Sequence, residues 1–188
     1  NSSVLADIIA GLERIDFFLL GSILLAGLYY FALWLGRREE KAYFWFFLSC
    51  ISVSLRLFSS GSYMERVYNP AWMTSLRMYF EYMTAFSITS IFYLFFLKSL
   101  FPAAVPKIAF RLLAGLSAAI GFFLTVSRDA SFYGKFQPVF AAFVLVIILF
   151  GCFVFIRAVL QKYVGARMMA AAYFIWIITI MNDLYQTS

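Results

Sequence analysis

Six apolar runs, near residues 16–35, 42–60, 71–98, 107–126, 138–160 and 168–187, constrain this chain more than any other feature. A helix needs about 20 mainly apolar residues to cross the ~30 Å hydrocarbon core of a bilayer. Each run meets that length, and the polar residues gather in the connectors between them. A strand barrel would instead alternate apolar and polar residues, and these runs are continuous. Overall 64% of the residues are hydrophobic and 13% charged, against roughly 45–50% and about 25% in a soluble domain. The reading is an all-α, polytopic transmembrane helix bundle.

The prolines Pro70, Pro102, Pro106 and Pro138 are read at run edges, where a missing N–H costs least. The five-residue connector RREEK (37–41) makes the first two helices antiparallel neighbours. Gly21 and Gly27 in the first run, and Gly115 and Gly121 in the fourth, are candidates for close helix approach. Ahead of the first run, Val4, Leu5, Ile8, Ile9 and Leu12 recur at helical spacing. Two readings stay open for residues 1–15: a helix lying on the membrane surface, or a linker from an upstream periplasmic domain. Residues 16–188 form the transmembrane domain. The chain starts without a Met and ends mid-stream, so the expectation is a piece of a longer protein.

Net charge is +6. The basic residues sit at the ends of apolar runs, which explains them by membrane topology and gives no reason to invoke nucleic acid. Arg37, Arg38, Lys41, Lys98, Lys107, Arg111, Arg157, Lys162 and Arg167 fall on one side, and Arg14, Arg66, Arg128 and Lys135 on the other. The richer side is expected to be cytoplasmic. That places the N-terminus outside, the end of the sixth helix outside, and requires a seventh helix to bring the chain back.

Four ionisable residues lie within the runs: Arg56, Arg77, Glu81 and Asp183. Each costs ~2.5–3.5 kcal/mol near a helix centre, so such residues pair and turn into the bundle. The topology puts all four in the outer leaflet, and their charges sum to zero. Arg77 and Glu81 are one turn apart on one helix face. Glu81 is expected to meet Arg56, and Arg77 to meet Asp183, with Tyr79, Tyr82 and Asn182 supplying neutral hydrogen bonds. The set Arg56, Arg77, Glu81, Asn182, Asp183 and Tyr82 is the candidate intramembrane polar cluster, either a ligand pocket or switch, or a fixed ion-pair core that sets helix packing.

Other features read more plainly. Tyr63, Tyr68, Trp72, Phe132, Tyr133 and Phe136 gather at the outer boundary, as anchors or as the wall of a ligand mouth; Tyr43, Trp45 and Tyr163 gather at the inner one. Ser49, Ser52, Ser54, Ser59, Ser60, Thr84, Ser87, Thr89 and Ser90 are expected to bond backbone carbonyls rather than line a conduction path. Cys50 and Cys152 each sit inside an apolar run and read as small core residues. There is no histidine. No HExxH, nucleophile elbow, phosphate loop or intramembrane aspartate pair occurs, so no catalytic residue, metal site or cofactor is expected, and no mid-helix lysine offers a home to retinal.

LGSILLAGLYYFALWLGRREEKAYFWF (20–46), SLRLFSSG (54–61), RMYFEYM (77–83), the Leu-Phe-Pro turn at 100–102 and MNDLYQ (181–186) together resemble the membrane domain of bacterial seven-transmembrane receptors with diverse intracellular signalling modules (7TM-DISM). The resemblance implies a truncated seven-helix receptor domain in the bacterial inner membrane. It would relay a stimulus from a periplasmic sensor domain to a cytoplasmic output domain of the same protein, of histidine kinase, nucleotide cyclase or phosphatase type. Homodimerisation would fit paired output domains. The rival reading is a transporter or channel subunit that binds an ion or small polar solute at the charge cluster. A membrane scaffold is the third.

Overall fold

The computed structural model describes residues 2–60, 71–126, 130–174 and 177; at 2–16, 60, 71–75, 77 and 130–134 it describes the backbone alone. The described residues form an all-α bundle of six helices with no strand. Helix α1 spans Ser2–Gly36 and α2 spans Lys41–Ser60. Helix α3 is composite: an α segment Ala71–Tyr82, a π segment Met83–Ile88 and an α segment Thr89–Leu100. Helix α4 spans Lys107–Val126 and α5 spans Ala130–Leu160. Helix α6 is described over 166–174 and at residue 177. Five of these helices are long and apolar enough to cross a membrane, among the described residues.

The first span is Phe17–Gly36, and the helix that contains it runs unbroken from Ser2, so residues 2–16 continue it. Its side chains are mostly exposed, and among the described residues α1 packs chiefly on α2. That pair closes as an antiparallel hairpin: the Arg37 and Glu40 amides bond Leu33 O and Arg37 O, each at 3.0 Å. A ladder of rings fills the seam, with Tyr30–Phe46 at 4.4 Å, Phe31–Phe47 at 4.6 Å and Trp34–Phe44 at 4.8 Å between centroids. Gly27 lets the backbones meet there, since a Cβ on it would stand 2.9 Å from Cys50 Cβ. Gly21 and Gly115 face open space, so only one glycine of each expected pair marks a close approach.

Helix α3 is the hub, packed against α2, α4 and α5. Trp45 stacks on Phe95 at 4.6 Å, Phe95 meets Phe110 edge-on at 5.3 Å, and Phe86 stacks on Phe140 at 5.1 Å. The main core fills the end of the bundle where α3 turns into α4 and α5 into α6. Leu94, Leu97, Phe101, Ala104, Val154, Phe155 and Ala158 are almost wholly buried there. Tyr163, expected as an interfacial anchor, stitches the two turns together. Its hydroxyl accepts the Ala103 amide at 3.2 Å and its ring meets Phe101 edge-on at 5.4 Å.

Pro138 corrects the sequence reading. It lies inside α5, not at its edge, because the helix begins at Ala130. The apolar span starts at Lys135, so Pro138 sits in its first turn. Neighbouring helices and local adjustment re-satisfy a carbonyl freed by proline in such positions. Pro102 and Pro106 do flank a turn, the one between α3 and α4, and Pro70 lies outside the described residues.

The α5–α6 turn has a Schellman pattern. Tyr163 N bonds Ala158 O at 3.1 Å, Lys162 N bonds Val159 O at 3.0 Å, and the residue in the left-handed position is Lys162 with φ 58°. Glycine usually occupies that position. A side chain there costs roughly 1–2 kcal/mol, partly offset by the greater chain entropy that glycine loses on folding. Lys162→Gly is therefore expected to stabilise the domain by about 0.5–1 kcal/mol, read as a rise in unfolding temperature in detergent. A fall would show that the lysine side chain contributes more than its backbone costs.

Candidate functional site at the broken turn of helix α3

A six-residue π segment, Met83–Ile88, interrupts α3 one turn inward of Glu81. Its signature is the Thr89 amide, which bonds Thr84 O, five residues back rather than four. Such widened turns hold one residue more than an α-helix needs and recur at functional sites. Widening strands carbonyls, and a stranded carbonyl in a membrane is costly. Thr84 answers this locally: its Oγ1 donates to Phe80 O at 2.7 Å and lies 3.1 Å from Glu81 O. The threonine at 84 thus serves the backbone, as expected for the hydroxyls of these helices.

Two hydroxyl contacts instead cross between helices. Ser87 Oγ donates to Ser117 O on α4 at 2.9 Å. Ser52 Oγ on α2 and Thr89 Oγ1 are 2.6 Å apart. The π turn is therefore pinned on both sides by polar contacts. Gly121 makes the α4 contact feasible, since a Cβ there would collide with Ser87 Oγ and lie 3.1 Å from its Cβ. Further out, Tyr79 OH and Thr125 Oγ1 are 3.3 Å apart, and Tyr82, Phe86 and Phe140 form an aromatic wall with Leu124.

The structure places the expected cluster as follows. Glu81 is half-buried at the outer edge of the π turn, and Tyr82 follows it, half-buried against Phe140. Arg56 is exposed on α2 rather than turned into the bundle. The Ser52–Thr89 contact sets the register of the antiparallel helices, so Arg56 stands about level with Ala85, ~6 Å deeper than Glu81 at 1.5 Å per residue. Arg56 also lies ~6 Å from the end of α2, within reach of the headgroup layer for a long side chain. Among the described residues no ion pair joins Arg56 to Glu81. Arg77 is on the same helix as Glu81, one turn outward, with its backbone alone described. Asn182 and Asp183 lie outside the described residues, as do Tyr63 and Tyr68; of Trp72, Phe132 and Tyr133 the backbone alone is described, and Phe136 is exposed on α5.

A second polar contact, near the opposite ends of the helices, escaped the sequence reading. Tyr93 on α3 and Tyr173 on α6 stack at 6.1 Å with their rings 12° apart. Both hydroxyls converge on Gly151 of α5, where a Cβ would collide with each. Tyr173 OH donates to Ile148 O at 3.1 Å, which fixes α6 to α5. The Tyr93 hydroxyl is buried beside it. The available signal was Gly151, the one glycine of its run, and its pairing with two tyrosines on other helices needs the fold.

No curated protein and no solved structure matches the chain. A family model described as 7TM diverse intracellular signalling matches residues 13–188. Five membrane-capable helices and this match make the chain a multi-pass membrane domain of a signalling-receptor type, linked in its family to intracellular signalling modules. The chain belongs to the 7TM diverse intracellular signalling family.

Proposed function

We propose that this domain relays a periplasmic stimulus through the bacterial inner membrane to a cytoplasmic output domain of the same protein, of histidine kinase, nucleotide cyclase or phosphatase type. In this reading the N-terminus is periplasmic, the cation-rich turns are cytoplasmic, and a homodimer presents paired outputs. The observation that carries it is the π turn of α3, pinned to α2 by Ser52 and to α4 by Ser87. A helix packed against three others, with one surplus residue at its middle, has two ways to place its outer half while its inner half stays docked. Glu81 and Arg77 lie on that outer half. Arg77 pairing with Asp183 in one state and with Glu81, one turn away on its own helix, in the other would supply the bias between packings.

The test uses the full-length protein. Glu81→Gln and Asp183→Asn are each expected to change the ratio of stimulated to basal output by about fivefold or more, the lower end of typical coupling energies. Unchanged ratios at normal membrane expression would eliminate the charge latch. The transporter reading is disfavoured because the buried hydroxyls Ser52, Thr84, Ser87 and Ser117 each bond the Thr89 hydroxyl or a backbone carbonyl rather than line a conduit, with Ser54 Oγ the buried exception. Solute flux in proteoliposomes that disappears with Glu81→Gln would reverse that choice.

A further inference from the structure

Helix α4 carries three features in register. Its exposed face runs the length of the helix and, beyond the first turns, is apolar: Ile108 is 75% exposed, Leu112 68% and Phe122 74%. Its buried face carries Phe110, Ser117, Gly121 and Leu124. At 100° per residue, Lys107 and Arg111 fall only 40° apart, at the edge of the exposed face nearest Phe110. Lys98, from the last turn of α3, holds its Nζ 4.3 Å from the centroid of the Phe110 ring. Lys107 precedes Phe110 by one turn, so three exposed cations from two helices gather at this end of the span. Directly inward on the same face is Gly115, where a Cβ would meet nothing within 4 Å.

We propose that this spot is a binding site for an anionic diacyl phospholipid. Lys98, Lys107 and Arg111 hold the phosphate, and an acyl chain lies along α4 in the shallow channel over Gly115, between Ile108, Leu112 and Phe122. The charge pattern selects lipid over an acidic protein. The cations stop after the first turns of α4, and below them the face is apolar, as a molecule with an anionic head and a hydrocarbon tail requires. An acidic protein segment would need charged partners along the face it covers, and beyond Arg111 the exposed face of α4 is apolar. Contacts of this kind anchor one helix of a bundle to the leaflet, and α4 is the helix that Ser87 ties to the π turn. The proposal extends beyond the relay reading and does not depend on it, because lipid retention is measured without stimulus or output.

The test is native mass spectrometry of the purified protein in detergent, titrated with phosphatidylglycerol or phosphatidylcholine. Surface basic residues contribute about a fivefold gain each toward anionic lipid. Lys98→Gln, Lys107→Gln and Arg111→Gln combined should therefore lower phosphatidylglycerol affinity by roughly a hundredfold. Arg111→Gln alone should lower it about fivefold, which keeps the test readable if the triple variant folds poorly. Arg37→Gln with Arg38→Gln, in the α1–α2 turn, should leave it unchanged, and phosphatidylcholine, whose choline cation offsets its phosphate, should lose less affinity than phosphatidylglycerol in the site variants. Excess inorganic phosphate should not displace the lipid. Equal losses from the α1–α2 variant, no preference of the wild type for phosphatidylglycerol, or displacement by inorganic phosphate or by a polyglutamate peptide would each overturn the site.

Discussion

Gly151→Val is expected to unfold or misassemble the domain, whereas Gly21→Ala leaves its stability unchanged or slightly raised. Both glycines lie in long apolar helices. At Gly21 an added Cβ meets nothing within 4 Å, and alanine gains up to about 1 kcal/mol of helix propensity. At Gly151 the same atom would collide with the hydroxyls of Tyr93 and Tyr173, and it would lie 2.9 Å from Tyr173 Cζ. Neither ring has room to retreat. Tyr173 packs on Phe155 at 4.8 Å and on Tyr93 at 6.1 Å, and its hydroxyl is tied to Ile148 O. Overpacking in a close-packed interior costs ~1–3 kcal/mol for a small addition; Gly151→Ala should fall in that range and valine beyond it. Tyr93→Phe with Tyr173→Phe removes two of the three nearest atoms, so that pair should rescue part of the Gly151→Ala loss, a non-additivity visible in a double-mutant cycle of unfolding temperatures in detergent. Strict additivity would mean that the notch is not where the strain arises.

How much of this was legible beforehand divides by the range of the interaction concerned. Apolar runs near twenty residues dictate spans by themselves, because a bilayer forces each backbone to satisfy its own hydrogen bonds. Helices α2 and α4 thus begin and end within a residue or two of where the runs do. The helix with Pro138 began eight residues earlier than its run suggested, because Lys135 and Gln137 look like a connector although the helical backbone continues through them. Thr84, Ser87 and Thr89 were visible as mid-helix hydroxyls. A π turn, however, uses the same residues as an α turn, and the surplus residue shows itself only once Thr89 N is seen to reach Thr84 O. Arg56 lies on α2 and Glu81 on α3, yet Arg56 is exposed because the pattern of one helix does not say which neighbours cover its rim. The Tyr93–Gly151–Tyr173 contact joins residues from three helices, and no local pattern announces it. Gly27 and Gly121 were identified beside Gly21 and Gly115, which have the same local appearance and no partner.

Deletion of Ala85 should leave the domain folded and silence it, whereas deletion of Ile91 should destroy it. The π segment closes with Thr89 N bonded to Thr84 O across five residues. Removing one residue between them makes the same bond an ordinary four-residue link, with the helix faces on either side unmoved. Ser52 would still meet Thr89, Ser87 would still reach Ser117 O, and Thr84 would keep Phe80 O. Ala85 is the smallest residue in the segment and makes no ring contact, unlike Phe86 stacked on Phe140. Ile91 lies in regular α-helix, where losing a residue turns everything beyond it by about 100°. Leu94, Leu97 and Phe101 would leave the core, at ~2–5 kcal/mol for each large side chain removed from packing. Membrane yield and unfolding temperature read the structural half of the comparison, and stimulated output of the full-length receptor reads the other. If both deletions abolish folding, the surplus-residue account of α3 is wrong. If the Ala85 deletion folds and still responds to stimulus, the π turn is a packing detail and the proposed relay does not depend on it.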